Sequence, residues 1–299
     1  MVAKSTFAVL LTAWAARAHV VGCGCSRVSS SRVVPPLCAA TQATASAAIA
    51  AFWREVVESQ QSLEPREATL ALTGCTDEDL LLEYIRSCSQ LFGGHSCTVT
   101  AEPLPHAGSA AISVRVEPTS DAPLAAAIPG GESSPHGSRE SALESMMDWF
   151  TAQLMACEIA DVQPGNDDEI ADDAAFVALG RSLLHTKSSA VTFAPTVQEM
   201  HRDFWTLVAE ADYLQDGSGG AALFLAPSFS NYEMFDDFSL LIRSGLRYLV
   251  SSKIAVNAYH PLALTERLRS PVPTVHIYLD NEDLFANGDG TLTSLLQDM

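Results

Sequence analysis

Histidine and arginine side chains that could do chemistry are concentrated near the end of the chain, in Tyr259–Pro261 and Arg269–His276. Histidine titrates near neutral pH, so His260 and His276 are candidates for moving a proton or holding an anion. The guanidinium of Arg269 is a candidate bidentate clamp for an anion. Because these residues lie at or near the ends of predicted strands, we expect them to gather at one edge of a sheet as a ligand or anion pocket.

A fourth candidate is Cys157, whose thiol would complete a nucleophilic site. It lies near the carboxyl end of a predicted helix, where the helix dipole raises rather than lowers the pKa of a thiol. The competing interpretation is structural: a buried polar network that holds the proline-rich loop against the sheet. Convergence at an open cleft would favour the pocket, and buried, mutually satisfied side chains would favour the structural role. The pattern identifies no cofactor and no metal.

The elements that position these residues alternate between strand and helix, which predicts an α/β (α+β) fold with packed helices and a mixed, partly parallel sheet. Ala221–Ala226 is continuously apolar, as in a strand buried on both faces. Ile254–His260 and Thr274–Leu279 are predicted strands joined by only about a dozen residues, so they should be antiparallel neighbours. His276 then lies on the face opposite Val275 and Ile277.

Helix starts in the second half carry capping-box patterns, Thr196 with Glu199 and Ser230 with Glu233. Aromatic residues three or four apart follow Ser230, which indicates one buried helix face. The phenylalanines predicted to lie in the core are Phe224, Phe235 and Phe238.

Two segments of the chain resemble each other. Phe52-Trp53 and Phe204-Trp205 each begin the same predicted series of helix, strand, helix, strand and strand. The second helices share an Ile-Arg-Ser triplet, at Ile85 and at Ile242. We expect an internal duplication of two α/β units; the alternative is a chance match of short apolar α/β segments.

Composition divides the chain into four predicted segments. Residues 1–44 are a targeting presequence, residues 45–117 an N-terminal α/β unit, residues 118–140 a linker rich in Pro, Gly and Ser, and residues 141–299 a C-terminal α/β domain.

The presequence contains Lys4, Arg17, Arg27 and Arg32 but no acidic residue. A basic start, an apolar run and an acid-free stretch rich in Ser, Arg and Ala are typical of targeting sequences. The signal-like part followed by a transit-like part resembles the bipartite presequence of complex plastids, which predicts the plastid stroma. A mitochondrial transit peptide or a secretory signal is the alternative.

The rest of the chain is acidic. Removal of residues 1–44 would change the formal net charge from −19 to −23, which argues against nucleic acid and anionic membranes as partners. No apolar run reaches the roughly 20 residues of a membrane span, so we expect no transmembrane segment in the mature chain. The remaining cysteines have no Cys-x-x-Cys spacing, which argues against zinc and fits a reducing compartment.

Several motifs between Trp149 and Leu279 resemble the domain of unknown function 1415 family. The family's Phe-His-Pro is similar to Tyr259-His260-Pro261, and its Asn-Arg-Ser-Pro-x-Pro-x-x-His is similar to Arg269–His276, with Leu268 in place of the Asn. Its Cys-Pro-Phe-Ala is similar to Cys157–Ala160. The family has no settled activity, so the resemblance implies a domain and candidate residues but no reaction.

Two hypotheses of function follow. In the first, the chain is a soluble organellar protein with a small-ligand or anion pocket in its C-terminal domain. In the second, it is a non-catalytic interaction or scaffold subunit of an organellar complex, because family positions are altered and an N-terminal half is present. The partner would be a small anion in the first case and a protein in the second.

The presequence generates a direct prediction. Residues 1–44 fused to a fluorescent reporter should carry it into a plastid, because this segment combines a basic start, an apolar core and an acid-free stretch. Microscopy of cells that contain a complex plastid measures this. A cytosolic or secreted reporter would contradict the prediction.

Overall fold

The computed structural model describes residues 44–71, 78–92, 97–104, 111–119, 136–160, 186–215, 220–264 and 268–279. Its helices are α1 (Ala45–Ser62), α2 (Glu78–Phe92), α3 (Arg139–Ala160), α4 (Val197–Glu210), α5 (Asp212–Gln215) and α6 (Tyr232–Gly245). Its strands are β1 (Arg66–Ala71), β2 (Cys97–Leu104), β3 (Ala111–Pro118), β4 (Thr186–Val191), β5 (Ala221–Leu225), β6 (Ile254–Tyr259) and β7 (Thr274–Leu279). The predicted presequence up to residue 43, and most of the predicted linker, lie outside the described residues.

The strands form two sheets, and the predicted α/β class with a mixed sheet is confirmed. The first sheet has the order β1-β3-β2, and both of its pairs are antiparallel. The second has the order β4-β5-β7-β6, with β4 and β5 parallel and the other pairs antiparallel. The predicted antiparallel pairing of the last two strands is therefore confirmed.

The two sheets repeat one topology. The series α1-β1-α2-β2-β3 and the series α4-β5-α6-β6-β7 have the same strand order, and in each the last strand is the central one of the three. The second series differs by the short helix α5, which lies between α4 and β5. The residues that match between the segments are buried in both, Trp53 with Trp205 and Ile85 with Ile242. This agreement is what a duplicated α/β unit requires. β4 is an addition at the edge of the second sheet.

Local sequence explains where the long helices begin. Thr196 caps α4: its hydroxyl accepts from the backbone N–H of Glu199 at 3.3 Å and donates to the Glu199 carboxylate at 3.0 Å. The predicted cap of α6 is wrong by one residue, because Asn231 Oδ1 accepts from the N–H of Met234 at 3.0 Å. Ser230 instead belongs to the preceding turn, where its N–H donates to the carbonyl of Ser228.

One hydrophobic core joins the two repeated series, because α1 packs along α4. The indole of Trp53 stacks on the imidazole of His201, with ring centroids 4.3 Å apart and planes 7° from parallel. The predicted core residues Phe224, Phe235 and Phe238 are buried in the same cluster, as expected. The opposite face of the second sheet is covered by α3 through a smaller cluster, whose members are Ala142, Met146, Phe150, Leu223, Leu225, Tyr259 and Val272.

Gly245, the last residue of α6, marks a close approach of two buried aromatic rings to the helix backbone. A Cβ added there would lie 2.8 Å from Cζ2 of Trp205 and 2.9 Å from Cε2 of Tyr84. Its φ of −59° is ordinary for a helix, so space rather than backbone conformation demands glycine. Beyond it the helix widens into one π-helical turn, Leu246–Val250.

We predict that Gly245→Ala destabilises the fold by about 1–3 kcal/mol, because overpacking against buried rings outweighs the usual gain of alanine in a helix. Gly137→Ala is the matched control, since a Cβ there meets nothing within 4 Å. Urea denaturation of both variants measures the change. A Gly245→Ala variant as stable as Gly137→Ala would contradict the packing described.

Candidate functional site

His260 follows β6 and is buried, with 1% of its surface exposed. Its Nδ1 accepts from the backbone N–H of Leu262 at 3.1 Å, and its Nε2 lies 3.0 Å from the carbonyl oxygen of Phe229. Because Nδ1 is an acceptor, Nε2 carries the proton and donates to that carbonyl. The ring also packs beside Tyr232 and Phe235 at the start of α6, with centroids 5.3 and 5.1 Å away.

Both nitrogens of His260 are thus bonded to the backbone of its own chain. Burial lowers the pKa of His260, and the hydrogen bond to Phe229 opposes that shift. The neutral ring holds the loop that follows β6 against the first turn of α6. This is a structural role, and it leaves the imidazole without a nitrogen for a ligand.

Arg269 belongs to the same loop. Its Nε donates to the carbonyl of Ala263 at 2.8 Å, and a terminal nitrogen lies 3.5 Å from the carbonyl of Leu264. The backbone N–H of His260 donates to the carbonyl of Leu268 at 2.9 Å. The two predicted site residues His260 and Arg269 therefore lie at the two ends of one loop. Each forms hydrogen bonds that hold the described backbone between them.

His276 lies in the middle of the second sheet, in β7 between Leu223 of β5 and Asn257 of β6. It is fully buried and stacks on Tyr278 with ring centroids 5.1 Å apart. Burial lowers its pKa to about 3, so the ring is neutral at physiological pH. The predicted placement on the face opposite Val275 and Ile277 agrees with the core, which contains both of those residues.

The structure does not bring His260 and His276 to the same face of the sheet. Side chains alternate along a strand, and His276 pairs with Asn257, so it shares the face of Tyr259, which α3 covers. His260 contacts Phe235 on the α6 side. The expected gathering of the three residues at one site is therefore wrong. The imidazoles of His260 and His276 lie on opposite sides of the second sheet, because His260 comes one residue after Tyr259.

Cys157 lies in the last turn of α3. Its side chain is outside the described residues, so its candidate role stays a prediction. Within the described residues, no group of three or more His, Cys, Asp or Glu side chains is arranged to hold a metal ion. No helix described here has the length and apolar character needed to cross a membrane.

Ligands of α/β proteins commonly bind where parallel strands end and helices begin. Here that edge is closed by the chain itself. The N-terminus of α4 is covered by Thr196 and the carboxylate of Glu199, and that of α6 by Asn231. Ser228 bridges the loops by donating to the carbonyl of Ala194 at 2.9 Å. The arrangement disfavours phosphate or carboxylate ligands at either helix.

The feature that sequence reasoning missed lies between His260 and Arg269, where the described residues are 261–264 and 268; we call these five residues the leucine loop. Within the part of this loop that the structure describes, Leu262, Leu264 and Leu268 are exposed over 63%, 77% and 39% of their surfaces. Alternation of Leu262 and Leu264 with a proline and a small residue was the available signal. It is weak, because the same spacing is found in buried strands.

Comparison with known proteins adds no assignment: no family model matches the chain, and the searches of curated proteins and of solved structures found no similar chain. The resemblance to the domain of unknown function 1415 family stays a prediction from motifs.

The buried histidines predict how stability depends on pH. Burial lowers the pKa of both His276 and His201 to about 3, whereas imidazole in an unfolded chain titrates near ~6.5. Between these values the unfolded state binds more protons, so the free energy of unfolding falls as pH falls, by up to about 1.4 kcal/mol per pH unit for each histidine.

We therefore expect His276→Gln, which cannot titrate, to lose less stability than the parent between pH 7 and pH 4.5, by roughly 2–3 kcal/mol. His201→Phe should behave alike, since its ring also stacks between aromatic neighbours. Chemical denaturation at the two pH values measures the difference. An unchanged pH dependence in both variants would show that the imidazoles take up protons within the folded chain.

Proposed function

We propose that this chain is a non-catalytic interaction subunit of an organellar protein complex. The observation that carries the proposal is that His260 and Arg269, the side chains best suited to chemistry, form hydrogen bonds with backbone groups of their own chain. Their hydrogen bonds hold the backbone at Leu262 and Ala263, and the described part of the loop presents Leu262 and Leu264 to solvent.

A single exposed leucine is ordinary on a protein surface, but several in one short loop are not. Connecting loops are usually polar and mobile. A loop whose backbone is fixed in advance loses less conformational entropy when it binds, so its apolar side chains contribute more of their burial to affinity. The leucine loop combines exposed apolar side chains with a braced backbone, which is the combination that a protein-binding loop needs.

The compartment proposed is the plastid stroma, with the mitochondrion or secretion as alternatives. Support comes from the acid-free residues 1–44. The net charge of −19 supports a protein partner over nucleic acid, because phosphate would be repelled.

The test is photo-crosslinking of the full chain in its native cells, with a photoreactive residue in place of Leu264. We expect a discrete adduct with one partner, which mass spectrometry identifies and which rebinds as a purified protein. Leu63 is the matched control, since it is 57% exposed but lies at the end of α1.

The competing function, a small-anion pocket at Arg269, predicts a different result. A panel of small carboxylates and phosphates would then raise the melting temperature of the parent, and Arg269→Lys would abolish that rise because lysine lacks the planar fork. Such a rise, together with no adduct at position 264, would overturn the interaction proposal.

A further inference from the structure

The outer edge of β1 is a strand edge to which the duplicated fold assigns a neighbour. β1 pairs with β3 on one side and is the terminal strand of its sheet. In the described part of the chain, no backbone hydrogen bond joins its other side to any residue. Every second residue of an antiparallel strand directs its N–H and C=O away from the partner strand. β1 therefore presents a row of donors and acceptors along its outer side.

The second repeated series shows what lies at the equivalent edge. β5, the counterpart of β1, is flanked by β7 on one side and by the parallel strand β4 on the other. β4 leads through α4 into β5, the usual crossover between parallel strands. The first series begins with α1, and no described strand precedes it. The duplication therefore defines a strand position beside β1 that no described residue occupies.

The segment of this chain that corresponds to β4 has a sequence poorly suited to that position. Because Phe52 matches Phe204, β4 corresponds to residues 34–39, which lie outside the described residues and within the predicted presequence. Their sequence includes Pro35 and Pro36. One of two consecutive residues would have to face β1, and proline has no N–H to donate to the ladder.

Burial at matching positions indicates that the edge of β1 is open. Ala68 of β1 and Ala222 of β5 both face the core, two residues before the large core side chains of Leu70 and Phe224. Ala222 has 0% of its surface exposed, whereas Ala68 is only half-buried. A strand added beside β1 would remove this apolar surface from water, which favours binding.

β1 also lacks the features that protect other edges of the two sheets. β2 contains Glu102 and Pro103, and β4 has Lys187 at an irregularity in its register; charges, prolines and bulges of this kind discourage pairing. Residues 68–71 of β1 contain neither a charge nor a proline. β6 contains none either, but its counterpart β2 is an edge as well, so the duplication assigns β6 no neighbour.

We propose that β1 binds an extended segment of a partner protein, which adds to the first sheet in the position that β4 has beside β5. The inference rests on the proposed function for the class of partner, a protein, and adds the way in which that partner is held. In strand addition of this kind, main-chain hydrogen bonds supply affinity and alternate side chains supply specificity.

The two faces of the sheet indicate the chemistry of the segment. Glu67, Arg115 and Glu117 lie together on the exposed face, joined by ion pairs of 2.8 and 2.7 Å, and their net charge is negative. The opposite face, at Ala68 and Leu70, belongs to the core. Because neighbouring strands bring side chains of one face into contact, the segment should alternate Lys or Thr with apolar β-branched residues such as Val.

A second copy of this chain fits the edge less well. Two β1 strands would pair across a two-fold axis, which brings two acidic bodies together. The formal net charge of each full chain is −19, so their approach is opposed by repulsion. A basic extended segment is attracted by the same charge.

The first experiment measures binding of defined peptides to the full chain by fluorescence anisotropy and locates it by amide hydrogen exchange. The probe is a peptide of Lys-Val-Thr-Val repeats, and the control has the same composition with its valines grouped together. We expect the alternating peptide to bind at least about tenfold more tightly and to slow the exchange of amides in β1 but not in β2 or β6. Equal affinity of the two peptides, or protection of β2 or β6 instead, would overturn the proposal.

Proline variants then test the outer edge itself. Of two consecutive residues in β1, one directs its N–H to β3 and the other away from it, so Ala68→Pro and Thr69→Pro should differ. One should lose a bond to β3 and be destabilised, and the other should keep the fold and weaken peptide binding at least about tenfold. Val99→Pro and Thr100→Pro on β2 are the matched control pair, of which the variant that folds should bind as the parent does.

Circular dichroism and the denaturation midpoint identify the folded member of each pair. A folded β1 variant that binds as the parent does, or an equal loss in the folded β2 variant, would contradict strand addition at β1. If both β1 variants unfold, the exchange measurement on the parent decides.

The outcomes distinguish failure of this inference from failure of the proposed function. If no amide of β1 is protected while the crosslink at position 264 still captures one defined partner, the inference fails and the interaction role stands. If the parent is a dimer that the folded β1 variant converts to a monomer, a second copy is the occupant and the inference is overturned. If the crosslink is absent, a small anion stabilises the chain through Arg269 and β1 stays unprotected, both fail.

Discussion

The packing of α1 against α4, centred on the stack of Trp53 on His201, is the contact on which the rest of the structure depends. It places two flat rings 4.3 Å apart at the point where the two repeated series meet. The contact requires a neutral imidazole, because a charge at a fully buried position would have no water to solvate it. Burial supplies that neutrality by depressing the pKa of His201. A single core therefore serves both sheets.

Much of the fold could be predicted from sequence because it follows from local periodicity. The buried stripe of α6, the apolar β5 and the capping box of α4 each depend on residues only a few positions apart. The start of α6 was misplaced by one residue because Ser230 and Asn231 are both good caps. In the turn before α6 the N–H of Phe229 donates to the carbonyl of Ala226. Pro227 favours this turn, but turn propensity does not say which of the two residues caps the helix.

The candidate site could be predicted less well. Whether side chains from two strands meet depends on how the strands pair, and spacing along the chain does not determine that pairing. His260 and His276 are each correctly associated with a strand or its end, but the faces they occupy depend on how β6 and β7 pair. The loop between those strands could be recognised by its prolines. That Arg269 would donate to the carbonyl of Ala263 while Leu262 and Leu264 stay exposed depended on distances that sequence does not contain.

The role of His260 and Arg269 also shows why polar residues at strand ends are ambiguous evidence of catalysis. A loop that leaves a sheet must satisfy backbone groups that have lost their ladder partners. Histidine and arginine do this well, since each offers directional nitrogen atoms at the end of a side chain. The same chemistry that suits a ligand thus suits a carbonyl of the chain, and only the geometry of donors and acceptors separates the two.

The pairing of α1 with α4 has a consequence for the order of folding. Trp53 and His201 are about 150 residues apart, so the core closes through contacts of long sequence separation, which form slowly. A ribosome releases the first repeated series well before α4 has been made. During that interval the part of α1 that packs against α4 has no native partner. Until the second series emerges, this face of a nascent chain is therefore a surface on which aggregation can begin.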